Sequence, residues 1–280
     1  MDELGALCWL VDAGADEAAQ VAPVNRFQAK MAAPLAQMND PPSASQISPF
    51  AHGAGLRQAP RGIVRPTAVL NPHAHDNDYI GHALEIANAC NTLAELKAAV
   101  EAFEGCALKQ FAHTTVFADG NPAGRIMFIG EAPGFEEDKT GLPFVGRAGK
   151  MLDKMLMAIG LDRTTTYIIN VLPWRPPDNR NPDPAEVAKC LPFLRRHIEL
   201  QSPRMIVLLG GSPLRHVLGN AEGILHSRGK WLHYHAAGRM VPVMPTLHPA
   251  YLLRQPTHKK LAWRDLLAIN HKLQQNHELA

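Results

Sequence analysis

Short apolar runs alternate with amphipathic stripes along the chain from residue 125 onward. Runs bounded by turn residues are typical of buried strands, and a stripe with a period of 3.6 residues predicts a helix. These patterns predict strands over 125–129, 166–171, 205–209 and 241–246, and helices over 149–160, 185–201, 212–218 and 259–276. Because strands and helices alternate, we expect a three-layer α/β/α fold with a central four-stranded parallel sheet.

The residues before this alternation have a different composition. Residues 1–20 carry a rough apolar stripe and predict a short helix, whereas residues 22–75 are rich in Pro, Ala, Gln and Ser. A segment of that composition cannot easily bury a core and predicts a flexible linker. We therefore expect an N-terminal extension over 1–75 and one folded domain over 76–280.

The folded domain is predicted to begin with two helices within residues 78–103. A break is expected near Asn91, because Thr92 is followed three residues later by Glu95, which is the spacing of a capping box. Such a box marks the start of a second helix.

Composition and charge limit the classes of protein that need to be considered. The chain is 46% apolar, yet no apolar run approaches the roughly 20 residues of a membrane span. Four cysteines in 280 residues do not suggest a disulfide framework, so a reducing cytoplasm is expected. Residues 195–280 hold 12 Lys and Arg against 4 Asp and Glu, a net charge of +8. This asymmetry fits either a polyanionic partner such as nucleic acid or a solvated basic surface.

Four residues whose side chains are suited to catalysis or ligand binding lie at or near predicted strand ends. Glu131 follows the first strand, Asn170 ends the second, His248 follows the last, and Phe144 lies on the loop after Glu131. Each alone has an ordinary structural explanation, as a turn former or a core residue. Parallel strands bring their carboxyl ends together, so an acid, an amide, an imidazole and an aromatic ring are predicted to share one site.

The same segments resemble the motifs of family-4 uracil-DNA glycosylases. The resemblance lies in residues 130–149, in Asn170 with residues 175–180, and in residues 248–254. It implies the fold of those enzymes, a catalytic domain over 76–280, and a monofunctional activity that removes uracil from DNA and leaves an abasic site. The alternative is a DNA-binding protein on the same fold that lacks catalysis or traps uracil-DNA covalently.

The resemblance also implies a role for each site residue. Glu131 would orient or activate water, and His248 would stabilise the departing base. Phe144 would stack on the flipped uracil and Asn170 would bind its edge. Two further substrate contacts are implied, Ala132 and Glu137, the latter near uracil C5.

DNA contacts are implied for the segment that follows His248. Either Leu252 or Leu253 would fill the gap left by the flipped base, while Arg254 and Lys259 would meet phosphates. Arg147, at a helix start, is a further phosphate contact. Uracil-containing DNA is thus the expected partner of a monomeric protein, near the nucleoid.

The chain departs from the family at an iron–sulfur site. Family-4 enzymes usually hold a four-cysteine cluster, and by resemblance Cys106 and Cys190 match two of its ligands. Phe103 and Trp174 occupy the other two positions. Because such a cluster needs four thiolates, we expect neither a cluster nor any other metal or cofactor.

Overall fold

The computed structural model describes residues 72–275. The N-terminal helix expected over 1–20 and most of the expected linker lie outside the described residues. The first described helix, α1 (Pro72–Ala89), begins inside the segment that was expected to be a linker.

A capped break separates α1 from α2 (Leu93–Ala102). The Thr92 hydroxyl accepts a hydrogen bond from the backbone N–H of Glu95 at 3.1 Å, and the Glu95 carboxylate accepts one from the backbone N–H of Asn91 at 2.7 Å. The two-helix prediction and its capping box are therefore confirmed.

Six strands form a single sheet. They are β1 (Asp119–Gly120), β2 (Ile126–Gly130), β3 (Thr166–Asn170), β4 (Met205–Leu209), β5 (Leu232–Ala236) and β6 (Arg239–Thr246). Their spatial order is β1-β3-β2-β4-β6-β5, in which the four inner strands pair in parallel and the two outer strands pair antiparallel.

The expected sheet of four parallel strands is therefore corrected to a mixed sheet of six. Continuous apolar runs, from which the four strands were predicted, identify strands that are buried on both faces. The strand β1 has only two residues, and β5 alternates exposed with half-buried positions along its first four residues. Both edge strands lack the signal that revealed the inner four.

The long helices agree with the sequence analysis. The four helices predicted after residue 125 are α5 (Arg147–Met157), α6 (Pro184–Gln201), α7 (Gly211–Leu218) and α10 (Lys259–Gln275), with ends that differ by at most three residues from the predicted ones. The short helices were not predicted; they are α3 (Leu108–Phe111), α4 (Phe135–Thr140), α8 (Ile224–Ser227) and α9 (Pro249–Arg254). Within residues 72–275, no helix combines the length and apolarity needed to cross a membrane.

Two apolar clusters lie on opposite faces of the sheet. Met127 and Ile129 of β2 pack into one cluster with residues of α1, α2 and α6, whereas Ile126 and Phe128 pack into the other with residues of α5 and α10. Neighbouring residues of a strand point to opposite faces, which explains the division. The three-layer arrangement leaves one sheet edge, at the carboxyl ends of the inner strands, available for a site.

Candidate functional site

Three of the expected site residues lie at this carboxyl edge. Glu131 directly follows β2, Asn170 is the last residue of β3, and His248 lies two residues beyond the end of β6. In the parallel register, Gly130 is paired with Asn170. Ligand sites of open α/β sheets lie in the crevice outside these strand ends, and the chain places its candidate chemistry there.

Phe144 and Asn170 meet above Gly130. A Cβ atom added to Gly130 would lie 2.4 Å from Asn170 Oδ1 and 2.4 Å from Phe144 Cζ, so a side chain here would displace both. Asn170 Oδ1 is buried and has no hydrogen-bond partner among the described residues. A buried acceptor without a partner costs about 1–3 kcal/mol. Such an acceptor is suited to a ligand that brings a donor.

Arg163 holds the backbone of Phe144 in an uncommon conformation. The φ angle of Phe144 is 56°, in the left-handed region, which is costly for a residue with a side chain. The guanidinium of Arg163 donates to the carbonyls of Pro143, at 3.1 Å, and of Phe144. It also forms ion pairs with Asp119 and Asp153. The fork geometry of arginine therefore fixes the turn that aims the aromatic ring.

Glu137 fastens the two ends of the loop that carries Phe144. Its carboxylate accepts hydrogen bonds from the backbone N–H groups of Gly134 at 3.1 Å, Val145 at 2.9 Å and Gly146 at 2.9 Å. Glu137 is 9% exposed. These bonds give the carboxylate a structural role, and its expected contact with uracil C5 stays a prediction.

His248 presents one ring nitrogen as a hydrogen-bond donor. Its Nδ1 accepts the backbone N–H of Ala250 at 3.1 Å and so caps α9. The proton of the neutral ring is then on Nε2. Burial, and to a smaller extent the positive charge of Arg254, lowers the pKa of His248 to about 4, so the ring is neutral at pH 7. The ring centroid lies 5.6 Å from that of Phe144.

A cavity of about 170 Å³ opens at this edge. Glu131, Ala132 and His248 line it together with residues of the loop after β3, whereas Phe144 and Asn170 do not. The site thus combines a carboxylate and a neutral N–H donor at the cavity with a buried amide and an aromatic ring beside it. This set can recognise a planar ring with mixed donors and acceptors and can stabilise negative charge that develops on it.

The residues expected to contact DNA differ in exposure. Leu252 is fully buried in the core, whereas Leu253 is partly exposed. This difference favours Leu253 as the residue expected to fill the gap left by a flipped base. Arg254 and Arg147 are exposed. Lys259 is 8% exposed at the start of α10. Leu253, Arg254 and Arg147 are therefore the accessible members of the expected set.

Comparison with known protein families decides the relationship. A sequence profile described as the uracil DNA glycosylase superfamily matches residues 117–267, which is more than half of the chain and includes the strand ends described above. The chain belongs to the uracil-DNA glycosylase superfamily.

Individual relatives within the superfamily agree with this assignment. The type-4 uracil-DNA glycosylase of Sulfurisphaera tokodaii is 39% identical, over 64% of this chain and 84% of the relative. That of Thermotoga maritima is 43% identical, over 55% and 79%. That of Pyrobaculum aerophilum is 36% identical, over 62% and 91%. The similarity covers most of each relative.

The region where the resemblance to family-4 enzymes implies an iron–sulfur cluster contains two buried thiols. Cys106 and Cys190 are 0% and 1% exposed. A hydrogen bond between them lowers the pKa of Cys106 and raises the pKa of Cys190. Within residues 72–275, no group of three or more His, Cys, Asp or Glu side chains is placed to hold a metal ion.

Aromatic side chains occupy the other two ligand positions. Phe103 is 2% exposed and packs edge-on against Phe193, with ring centroids 5.1 Å apart. Trp174 is 1% exposed, and its indole N–H donates to the Thr115 hydroxyl at 3.0 Å. Both side chains are packed and neither is a ligand for iron, so the described residues do not fit a cluster with four cysteine ligands.

Two residues that shape the site of this uracil-DNA glycosylase superfamily member, Arg163 and Gly210, were missed by sequence analysis. Arg163 lies on a loop with no motif. A Cβ atom on Gly149 would collide with the Phe144 carbonyl oxygen at 1.6 Å, and one on Gly210 would lie 3.2 Å from His248 Cβ. The glycines in the segment 130–149 were a signal for close backbone approach, whereas nothing in the sequence identified Arg163.

Proposed function

We propose that the protein is a uracil-DNA glycosylase that hydrolyses the N-glycosidic bond between uracil and deoxyribose and leaves an abasic site for base-excision repair. The observation that carries the proposal is the unpaired, buried Asn170 Oδ1, which lies beside Phe144 at the sheet edge that also holds Glu131 and His248. The names of the type-4 relatives support the same activity.

Asn170 would select uracil through two hydrogen bonds. Its Oδ1 can accept the uracil N3–H, and its Nδ2 can donate to O4. Cytosine has an acceptor at N3 and a donor at N4, so both groups would be mismatched, and such a penalty can reach about 10⁴-fold. The base must first leave the duplex, which costs a few kcal/mol, and stacking on Phe144 would return roughly 1–3 kcal/mol.

Bond cleavage would divide the developing charges between two residues. As the C1′–N1 bond breaks, its electron pair moves to uracil N1, and the Nε2–H of neutral His248 would stabilise the anion. The carboxylate of Glu131 would orient the water that adds to C1′, accept its proton, and offset the positive charge on the sugar. None of the described residues that line the cavity is a lysine, which supports a monofunctional reaction without β-elimination.

A matched pair of variants tests the proposal. Wild-type protein should release uracil from single-stranded and duplex oligonucleotides, and Glu131→Ala should lower the single-turnover rate by about 10²-fold or more. Glu101→Ala, at an exposed position on α2, should leave the rate unchanged. A wild-type protein that releases no uracil, or that forms an adduct with uracil-DNA that survives denaturing gel electrophoresis, would favour the binding alternative instead.

We further propose that the protein works without an iron–sulfur cluster. The packed side chains of Phe103 and Trp174 and the thiol pair of Cys106 and Cys190 support this. Protein purified without oxygen should be colourless and contain less than one iron per chain. A brown protein with about four irons per chain would overturn the proposal regardless of its glycosylase activity.

A further inference from the structure

An exposed aromatic ring lies next to the cavity and has no role in the proposed chemistry. Phe135 is the first residue of α4 and is 49% exposed. It directly follows Gly134, which lines the cavity. An exposed phenylalanine beside a polar cavity is not explained by core packing, because burial of half of its surface is forgone.

Two cations lie over this ring. Lys139 Nζ is 5.3 Å and Arg175 Cζ is 5.2 Å from the ring centroid, both within cation–π distance. Among the described residues neither cation has a carboxylate partner in an ion pair. By contrast, the nearby Arg180 is paired with Glu186 at 2.6 Å. Two positive charges are therefore available beside the cavity.

The backbone and one hydrogen bond hold this group in place. Arg175 donates through Nε to the side-chain oxygen of Asn179 at 2.8 Å, and Asn179 itself lines the cavity. Asn179 has a φ angle of 52°, so the loop makes a tight turn there. Arg175 is thus fixed over the ring, whereas Lys139 is on an exposed, flexible stem. A ligand could replace Lys139 over the ring without disturbing the loop.

We propose that Phe135 is a stacking platform for the base next to the flipped deoxyuridine, and that Lys139 and Arg175 bind the flanking phosphates. The inference rests on the proposed glycosylase function. Aromatic platforms with interleaved cations are the means by which proteins bind single-stranded nucleic acid, because bases stack on the ring while the cations meet the phosphates. A base paired within a duplex is not free to stack there, so the platform favours uracil in single strands.

Four variants separate stacking from simple packing. Phe135→Ala and Phe135→Leu should both lower kcat/KM for a uracil-containing single strand by about 5- to 100-fold, because neither side chain has an aromatic face. Phe135→Trp should retain activity. The matched control is Tyr79→Ala. Tyr79 lies on α1, and its exposed ring is also covered by a lysine, Lys189. This variant should leave kcat/KM unchanged.

The comparison of substrates decides the outcome. On a duplex with uracil opposite guanine, the fold-decrease in kcat/KM caused by Phe135→Ala should be less than a third of the fold-decrease measured on the single strand. Equal losses on both substrates, full rescue by leucine, or no loss on either would overturn the inference. If the wild-type protein releases no uracil at all, the glycosylase proposal fails. Fluorescence anisotropy with a uracil-free single strand then still reports on the platform, since Phe135→Ala must weaken that binding and Tyr79→Ala must not.

Discussion

Asn170 and Tyr167 lie on the same buried strand, β3, and the structure treats their polar groups differently. Tyr167 faces the core, where its hydroxyl is hydrogen-bonded to His197 Nε2 at 2.9 Å, and the His197 ring stacks on Phe117 with centroids 4.3 Å apart. Asn170, three residues later, keeps a buried oxygen without a partner among the described residues. One group is satisfied within the protein, and the other has the unpaired acceptor that the proposed contact with uracil requires.

The same contrast separates two regions of the molecule. The paired core is formed by Tyr167 of β3, His197 and Cys190 of α6, and Cys106 of the segment before α3, and its side chains are hydrogen-bonded to one another. At the carboxyl edge, Glu131 and His248 line the cavity, and Asn170 Oδ1 has no partner among the described residues. Gln201 Oε1 is also buried without a described partner, but the amide N–H groups of Gln201 bind the carbonyls of residues 122 and 124. Its position follows from that tie rather than from a ligand.

The largest expected effect is the loss of activity in Asn170→Ala. The variant removes both hydrogen bonds to uracil, so kcat/KM should fall by about 10³-fold or more. The free energy of unfolding should change by no more than about 1 kcal/mol, because the deleted oxygen has no partner to lose. Single-turnover kinetics and urea unfolding measure the two quantities.

The paired core provides the opposite result as a control. Tyr167→Phe leaves His197 Nε2 without its partner, so the free energy of unfolding should fall by about 1–3 kcal/mol while kcat/KM is retained. If Asn170→Ala instead destabilises the protein by several kcal/mol, the amide has a structural role and the contrast between the regions is wrong.

The second effect is an acid sensitivity that His197 gives to the paired core. Burial lowers the pKa of His197 to about 3 in the folded protein, against 6.5 for an exposed histidine. The unfolded chain therefore binds one more proton between these values. The stability that neutral His197 contributes is complete above pH 6.5 and is lost as the pH falls, by roughly 2.5 kcal/mol at pH 4.5.

Replacement by a residue that does not titrate isolates this contribution. His197→Gln keeps a hydrogen-bonding partner for Tyr167 but removes the titrating group. The difference in free energy of unfolding between wild type and variant at pH 7 should therefore shrink by roughly 2.5 kcal/mol at pH 4.5. Urea unfolding of both proteins at half-unit pH steps measures the difference. Parallel curves for wild type and variant would show that His197 is not the group responsible. His248 titrates in both proteins and therefore cancels.

The sequence predicted those parts of the fold that depend on local pattern. The buried inner strands and long helices have a clear period, and the capping box at Thr92 has a clear spacing. The edge strands were missed because β5 is only half-buried and β1 is two residues long. The prediction that Glu131, Phe144, Asn170 and His248 lie near one another followed from the parallel sheet, because the carboxyl ends of its strands share one edge.

Contacts between distant loops could not be predicted in this way. Arg163 reaches the carbonyl of Phe144 from a loop 19 residues later. Likewise, the exposure of Leu253 and the burial of Leu252 depend on how α9 sits on the core, whereas their sequence positions are nearly equivalent. The two cations over Phe135 come from its own helix and from the loop after β3. Only the packed structure reveals such pairs.

The smallest expected effect tests whether a clamp at the carboxyl edge serves activity. Arg163→Lys loses the fork that holds the carbonyls of Pro143 and Phe144. The left-handed conformation of Phe144 stores about 1–3 kcal/mol of strain, so Phe144 should then leave it part of the time. We expect KM for uracil-DNA to rise by about 5- to 30-fold, with a change in kcat of less than about threefold. Stacking on the ring stabilises the bound base equally in the ground state and in the transition state, so its loss affects binding rather than bond cleavage.

A matched clamp lies beside the paired core, on the same helix as His197. Arg196 donates through Nε and Nη2 to the carbonyl of Cys90, at 2.9 and 2.8 Å, and pairs with Glu199, so it is also an arginine that fixes a backbone turn with the help of a carboxylate. Arg196→Lys should lose about as much stability as Arg163→Lys and leave KM unchanged. Should both variants raise KM equally, general loosening of the fold explains the effect. A rise confined to Arg163→Lys shows that the same chemical device stabilises the fold in one region and prepares the binding site in the other.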